Sequence, residues 1–553
     1  MNSKVRTEAI ESVGQMTFSL SSGARRRHVL LSLLTSMALA AALVTPASAD
    51  AAVIEAESSP LLEEGWEDAS YVSEKYQAAY AGSMYQIIRE TVEARQFHEK
   101  GYYGNGIDVA LIDSGVVPVD GLNGGQIING LDVSFESQSD DLRYMDTFGH
   151  GTHLAGIIVG YDSSTGFMGL APGSRLLNVK VANHEGAVDV TQVIAAIDWV
   201  VEHRNDNGMN VRVINLAYGT DSTQNWQADP LSAAVERAWR AGIVVVVAAG
   251  NDGNSTALRD PAFNPYVIAV GASDSNQSPN TADDFVASFA NCGTEDRYVD
   301  VLAPGRSIIS LRNPGSVADV EFPEARIGDD LFLGSGTSQA SAIVSGAVAL
   351  ILDRYPKATP DMVKAALMNT SARIDTNNKY CAQAGVIDLE GLLDEYEEWE
   401  DFAELGRQSH GYAHGGGSLE KARGSHHVSV DGVVLTDEQD IFGNKWNTEY
   451  VSKLAANGMI WDGGDFYGTS WSGTSWSGTS WSGTSWSGTS WSGTSWSGTS
   501  WSDYAWSGTS WSGTSWSGTS WSGTSWSGTS WSGTSWSNDL WLGLSWGKPA
   551  NVL

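Results

Sequence analysis

Between Gly101 and Leu393 the chain repeats one pattern, a short run of β-branched and aliphatic residues followed by a longer apolar or amphipathic stretch. The runs Ile107–Ile112, Leu176–Val181, Val211–Ala217, Ile243–Ala249, Tyr266–Gly271 and Tyr298–Leu302 are continuous rather than alternating. A strand that is apolar on both faces must be covered on both, and crossover helices supply that cover in a parallel sheet. The stretches between them, including Thr152–Val159, Val190–His203 and Pro230–Ala241, have the length and pattern of helices. Thr359-Pro360-Asp361 opens a last helix with a cap, a first-turn proline and an early acid. The pattern predicts an α/β domain with a mostly parallel sheet between helices, closing near Leu393 after a strand at Val386-Ile387-Asp388-Leu389.

The flanks differ from this body. Arg25-Arg26-Arg27 precede the apolar run Val29–Val44, which ends in Ala47-Ser48-Ala49, so residues 1–49 read as a signal peptide cleaved after Ala49. The run is short for a spanning helix, which makes an uncleaved anchor the lesser alternative. Arg26-Arg27-His28-Val29-Leu30 also fits a twin-arginine signal, leaving both Sec and Tat routes open. No later segment approaches transmembrane length, so the mature chain is expected to be secreted or extracellular, free or held at a surface. Residues 50–97 are acidic and mixed, with a helical piece near Met84–Ala94, and read as an N-terminal extension or short propeptide. A formal charge of -33 argues against nucleic acid as a partner, because phosphates need Lys and Arg. Two cysteines, Cys292 and Cys381, cannot form a disulfide framework, and export leaves a single bridge or two buried thiols as the alternatives.

Residues 394–467 form a less hydrophobic connector with an acidic run and then Gly415-Gly416-Gly417. His410, His414, His426 and His427 gather there, but without cysteine or an established ligand spacing they do not define a metal site. From 468 to 546 the pentad S-G-T-S-W recurs, with Trp at every fifth position from Trp471 to Trp546. Five matches neither a helix face nor a strand face. The repeat is therefore a low-complexity tail with regularly spaced rings, or a solenoid with five-residue sides. Its aromatic rings suit sugars, cell-wall material or each other.

Chemistry concentrates at four positions. In Gly334–Leu352 a small-residue turn leads into a long uncharged apolar run, so Ser338 falls where a loop enters a buried helix. A hydroxyl there is either a cap or a nucleophile beside unpaired N–H groups. Asp113 ends the first strand in V-A-L-I-D-S-G, His150 enters a helix in F-G-H-G-T-H, and Asn251 follows a strand in A-A-G-N-D-G. Taken singly, each is more simply a cap, a turn or a core residue.

Their order along an α/β domain, Asp then His then Ser, is one of the known triad orders. With D-S-G at 113–115, H-G-T-H at 150–153, A-A-G-N-D-G at 248–253 and G-T-S-Q-A-S at 336–341, the chain resembles the subtilisin-like serine proteases, or subtilases. The similarity extends from about Gly101 to Leu393, which is taken here as a catalytic domain of residues 98–393. It implies a three-layer fold and a serine endopeptidase acting on protein or peptide substrates. Ser338 is then the nucleophile, His150 the base, Asp113 its orienter and Asn251 an oxyanion donor. By the same resemblance Ala217, Tyr218, Gly219, Ala248, Ala249 and Gly250 line the cleft and Tyr218 narrows a side-chain pocket, while Asp252 either favours a basic substrate side chain or is simply solvated. A cis bond at Asp260-Pro261 is also implied. His153 stands one turn beyond His150, and a spacing of three without a following Glu reads as structural and not as a metal pair. No cofactor enters such chemistry. A structural Ca2+ is compatible with the family, although Asp162-Ser163-Ser164 replaces the usual Asn-rich ligands in the loop 161–167. Gln339 and Ala342 depart from the family's Met and Pro without touching the chemistry. The competing reading is a surface-binding or adhesive protein on an inactive protease scaffold, and the Trp repeat would serve surface attachment in either case.

Overall fold

In a computed structural model the chain is described over residues 82–276, 283–374, 376, 378–425, 427–430, 433–462, 465–466, 469–470 and 545–546. The signal segment 1–49, most of the 50–97 extension and nearly all of the Trp repeat lie outside the described residues.

Eight strands form the main sheet: β1 (Asp108–Asp113), β2 (Ile127–Asp132), β3 (Arg175–Lys180), β4 (Val211–Leu216), β5 (Val244–Ala248), β6 (Ile268–Asp274), β7 (Phe285–Val286) and β8 (Val301–Pro304). Their spatial order is β8-β6-β5-β4-β1-β3-β2, all parallel, with β7 added antiparallel to β6. Every residue of β1 and of β5 is buried, as continuous apolar runs require. Helices α1 (His150–Val159) and α4 (Thr337–Arg354) pack on each other and on the sheet, as do α2 (Val190–His203) and α3 (Pro230–Arg240). Helix α2 starts where Asp189 caps Thr191 N–H and Gln192 reaches back to the Asp189 N–H. Helix α5 (Pro360–Thr370) opens on the expected Thr359 cap.

A smaller antiparallel sheet carries β9 (Ile308–Leu311), β10 (Arg326–Ile327) and β11 (Leu331–Ser335). Strand β11 runs directly into α4, and Ser545–Trp546 (β12) pairs with its last two residues.

Three expectations change. Val386–Leu389 is not a strand: Val386 makes single bridges to Leu302 and Ala372, and Leu389 already begins α6 (Leu389–Glu395). The helical piece near Met84–Ala94 is a one-turn α-helix, Met84–Gln86, continued by a π-turn, Ile87–Thr91. Its Met84, Ile87, Ile88 and Val92, with Phe97, are buried in the common core, so no packing boundary falls at residue 97. The 394–467 connector is likewise folded against the sheet domain. Phe402 stacks on Tyr355 with centroids 4.3 Å apart, and the buried Arg423 guanidinium pairs with Asp189 at 2.7 Å. Its histidines serve separate neighbours: the His410 carbonyl accepts from Tyr266 Oη, His414 Nδ1 accepts from Gly416 N–H, and His427 Nε2 meets Glu420. His426 lies outside the described residues.

Cys292 and Cys381 are bonded to each other across 89 residues of sequence, which resolves the alternative left open above. In the loop 161–167 the Asp162 carboxylate is taken up by its own turn, accepting from Ser164 N–H and Oγ and from Thr165 Oγ1. Among the described residues no group of three or more His, Cys, Asp or Glu side chains is gathered as a metal site.

Candidate active site

Strand order reverses around β1, whose two neighbours β3 and β4 lead to opposite edges. Open α/β sheets bind ligands at the carboxyl ends of strands at such a switch point. Asp113 is the last residue of β1 and is buried. Ser114 N–H donates to Asp113 Oδ1 at 2.8 Å, and its hydroxyl is shared between Asp113 Oδ1 and Asp146 Oδ1, at 3.2 and 2.8 Å. His150 Nδ1 lies 2.9 and 3.0 Å from the two carboxylate oxygens, with both side chains out of solvent.

The sequence around His150 is built for this approach. Gly149 enters α1 at φ 108°, a left-handed conformation that favours glycine. Asp146 then caps the helix from outside, accepting from Gly149 N–H at 2.7 Å and Thr152 N–H at 2.8 Å. A Cβ on Gly151 would fall 2.1 Å from the Gly115 carbonyl oxygen, so only glycine lets the helix come this close to the end of β1. His153, one turn on, is buried, meets the Phe332 carbonyl at 3.1 Å, and is pushed down to about 3 by burial. It is therefore neutral and structural, as its spacing from His150 suggested.

Ser338 is the second residue of α4, with Thr337 first and Gly336 in the cap position. The hydroxyl is thus not a cap. Ser338 Oγ is buried and makes no hydrogen bond among the described residues. Thr337 fastens this turn to the end of β5. Its N–H and Oγ donate to Asn251 Oδ1 at 2.9 and 3.1 Å, and its Oγ accepts from Gly250 N–H at 3.2 Å. With Asn251 Oδ1 so engaged, its amide NH2 is the end left to donate elsewhere.

Residues 248–250, at the end of β5, meet this junction through Gly250, and 217–219 follow the end of β4. Tyr218 is buried rather than open to a cleft. Burial, with Asp189, Asp260 and Asp229 nearby, pushes its phenol well above the ordinary value. Asp252 carries a correction to the expectation of an available negative charge. Its carboxylate is clasped by Arg259 at 2.5 and 2.7 Å and accepts from Asn291 Nδ2 at 2.9 Å. The Asp260–Pro261 bond is cis.

A family model described as the subtilase family matches residues 104–395. The chain belongs to the subtilase family. It is 38% identical over 299 residues to serine protease AprX of Bacillus subtilis, covering 52% of this chain and 66% of that protein. It is 33% identical over 303 residues to subtilisin DY of Bacillus licheniformis, covering 54% of this chain and 95% of that protein. A crystal structure of a cold adapted subtilisin-like serine proteinase aligns at 28% identity and a TM-score of 0.40, over 52% of this chain and 88% of that chain. As a subtilase the chain is a serine-type endopeptidase by family.

Ser114, Asp146, Thr337, Asn291 and Arg259 escaped the sequence reading. Ser114 and Thr337 adjoin residues already singled out, and nothing local marks the other three. Beneath the site Asp229 and Asp260 form a buried acid pair. Burial, then repulsion by Asp229, pushes Asp260 well above the carboxylate range, and burial also raises Asp229. A carboxyl raised on folding gives stability that is full at low pH and lost as pH climbs through the raised value. Asp260→Asn is therefore expected to flatten the fall in thermal midpoint as pH rises above the ordinary carboxylate range. Parallel pH profiles of the two proteins by calorimetry would contradict it.

Proposed function

We propose that the chain is an exported serine endopeptidase that cleaves peptide bonds through Asp113, His150, Ser338 and Asn251. The observation that carries this reading is the buried His150 Nδ1–Asp113 pair at 2.9 Å, beside a helix whose first residue, Thr337, holds Asn251. Ser338 Oγ attacks the scissile carbonyl carbon while His150 Nε2 takes its proton. Asp113 keeps the proton on Nδ1 and stabilises the imidazolium. The oxyanion receives the Asn251 amide and the Ser338 backbone N–H at the positive end of α4. His150 then protonates the leaving amine, and water, activated by the same imidazole, releases the acyl group. The substrate lies extended between the 217–219 and 248–250 edges as an added strand. The leader at 1–49 supports export, and rings at every fifth residue of the repeat support attachment to a surface or polysaccharide.

Peptide hydrolysis by secreted, purified full-length protein tests the chemistry. Ser338→Ala is expected to lower kcat by about 10⁴-fold or more, and Asn251→Ala by about 10²–10³-fold with KM little changed. Hydrolysis that survives Ser338→Ala would end the proposal. Replacing the repeat tryptophans from Trp471 to Trp541 by alanine, with the Ser545–Trp546 strand kept, is expected to leave peptide hydrolysis intact and to abolish pull-down on insoluble cell-wall polysaccharide; undiminished pull-down would refute attachment through the repeat.

A further inference from the structure

The residues of the site are closed off from solvent. Asp113, His150, Thr337, Ser338 and Gln339 are each no more than 1% exposed. An endopeptidase has to admit an extended chain to its nucleophile, and with Ser338 Oγ buried no peptide bond reaches it until something is displaced.

Strand β11 reaches Ser338 through Gly336 and Thr337 alone. One of its edges is covered by β9, from Ile308 opposite Gly334 to Leu311 opposite Leu331. On the other edge β10 is only two residues long and pairs with Leu331 and Phe332. Gly334 and Ser335 would be left with unpaired backbone there, and an open strand edge takes up a further strand. Neither residue puts a bulky group over it: Gly334 has no side chain, and the Ser335 hydroxyl is turned to Ser307, accepting its N–H at 2.8 Å. The chain's own C-terminal segment takes the place. Ser545 pairs with Ser335 and Trp546 with Gly334, antiparallel. These two are the only described residues beyond 470, and they lie on the strand that carries the nucleophile.

We infer that this pairing is an autoinhibitory contact, in which the C-terminal strand occupies the open edge of β11 and keeps substrate from Ser338. The inference rests on the endopeptidase reading above and adds the regulation of that site. Ser335 stands three residues before Ser338, a reach of at most about 11 Å, so an extended substrate centred on Ser338 overlaps the ground held by Ser545. Two residues of ladder make a weak clamp, but belonging to the same chain gives the segment a high effective concentration. Closed and open forms therefore exchange, and the open fraction sets the apparent affinity for substrate. Strand and substrate compete for one place, so closure raises KM and leaves kcat alone. Loss of the C-terminal residues is then an activating step.

The test is the full-length chain carrying Ser545→Pro together with Trp546→Pro, which removes both backbone N–H groups of the C-terminal strand. The double variant is expected to show a KM for a peptide substrate lower by about 10-fold or more, with kcat unchanged. A free peptide of residues 541–553, at about millimolar concentration, should inhibit the double variant competitively, and the same peptide with both prolines should not. Amide hydrogen exchange over residues 331–335 reads the pairing without any turnover and should be faster in the double variant. Equal KM values in the two proteins, a fall in kcat without a fall in KM, or equal exchange overturns the inference. Accelerated exchange with no hydrolysis by either protein would instead count against the endopeptidase reading. Thermal melts identify a variant that fails to fold, and in that case removal of residues 545–553 makes the same comparison.

Discussion

A carboxylate taken out of water has to find a hydrogen-bond donor for each oxygen, or its burial is unaffordable. At the end of β1 those donors are the Ser114 N–H, the Ser114 hydroxyl and the His150 ring. Meeting that need fixes much else. The His150 helix must approach to backbone contact, which requires Gly151 and the left-handed Gly149, and its loose N–H groups must be capped by Asp146. Asp146 in turn holds Ser114. One buried charge thus sets the geometry of two loops and a helix.

The second half of the site is fixed through Thr337. Its three hydrogen bonds join the first turn of α4 to Gly250 and Asn251, so Ser338 and Asn251 are held in one fixed arrangement. Helix α4 is buried from Thr337 to Leu352 and packs on β4, β5, β6 and α1, which places this unit against the same sheet that carries Asp113. Rigid elements hold a reacting geometry better than loops do. The Arg259–Asp252 clasp extends the rigidity to the residue that follows Asn251.

The sheet was legible because its strands are apolar on both faces: V-V-V-V-A could be little else, and α2 matched its predicted limits residue for residue. β2 was missed because Asn129 and Gly130 break its apolar run, while Val386–Leu389 was apolar enough to suggest a strand but forms β-bridges at Val386 alone among its described residues. The site residues sit at strand ends and helix starts, positions that motif and order reveal. Their partners are different. Asp146 acts across 32 residues on Ser114, Asn291 across 39 on Asp252, and Arg423 across 234 on Asp189, distances at which local pattern carries no signal. The same blindness made Asp252 look available, since a carboxylate in a sequence does not show which cation will reach it.

If the buried imidazole–carboxylate pair activates Ser338, no other serine in a chain full of G-T-S triplets should share its nucleophilicity. Mass-spectrometric mapping of the adduct left by a fluorophosphonate tests it most directly. A single adduct is expected on the peptide containing Ser338, formed quickly in the native protein and at least about 10³-fold more slowly in Asp113→Asn. An adduct elsewhere, or equal labelling rates in the two proteins, would contradict it.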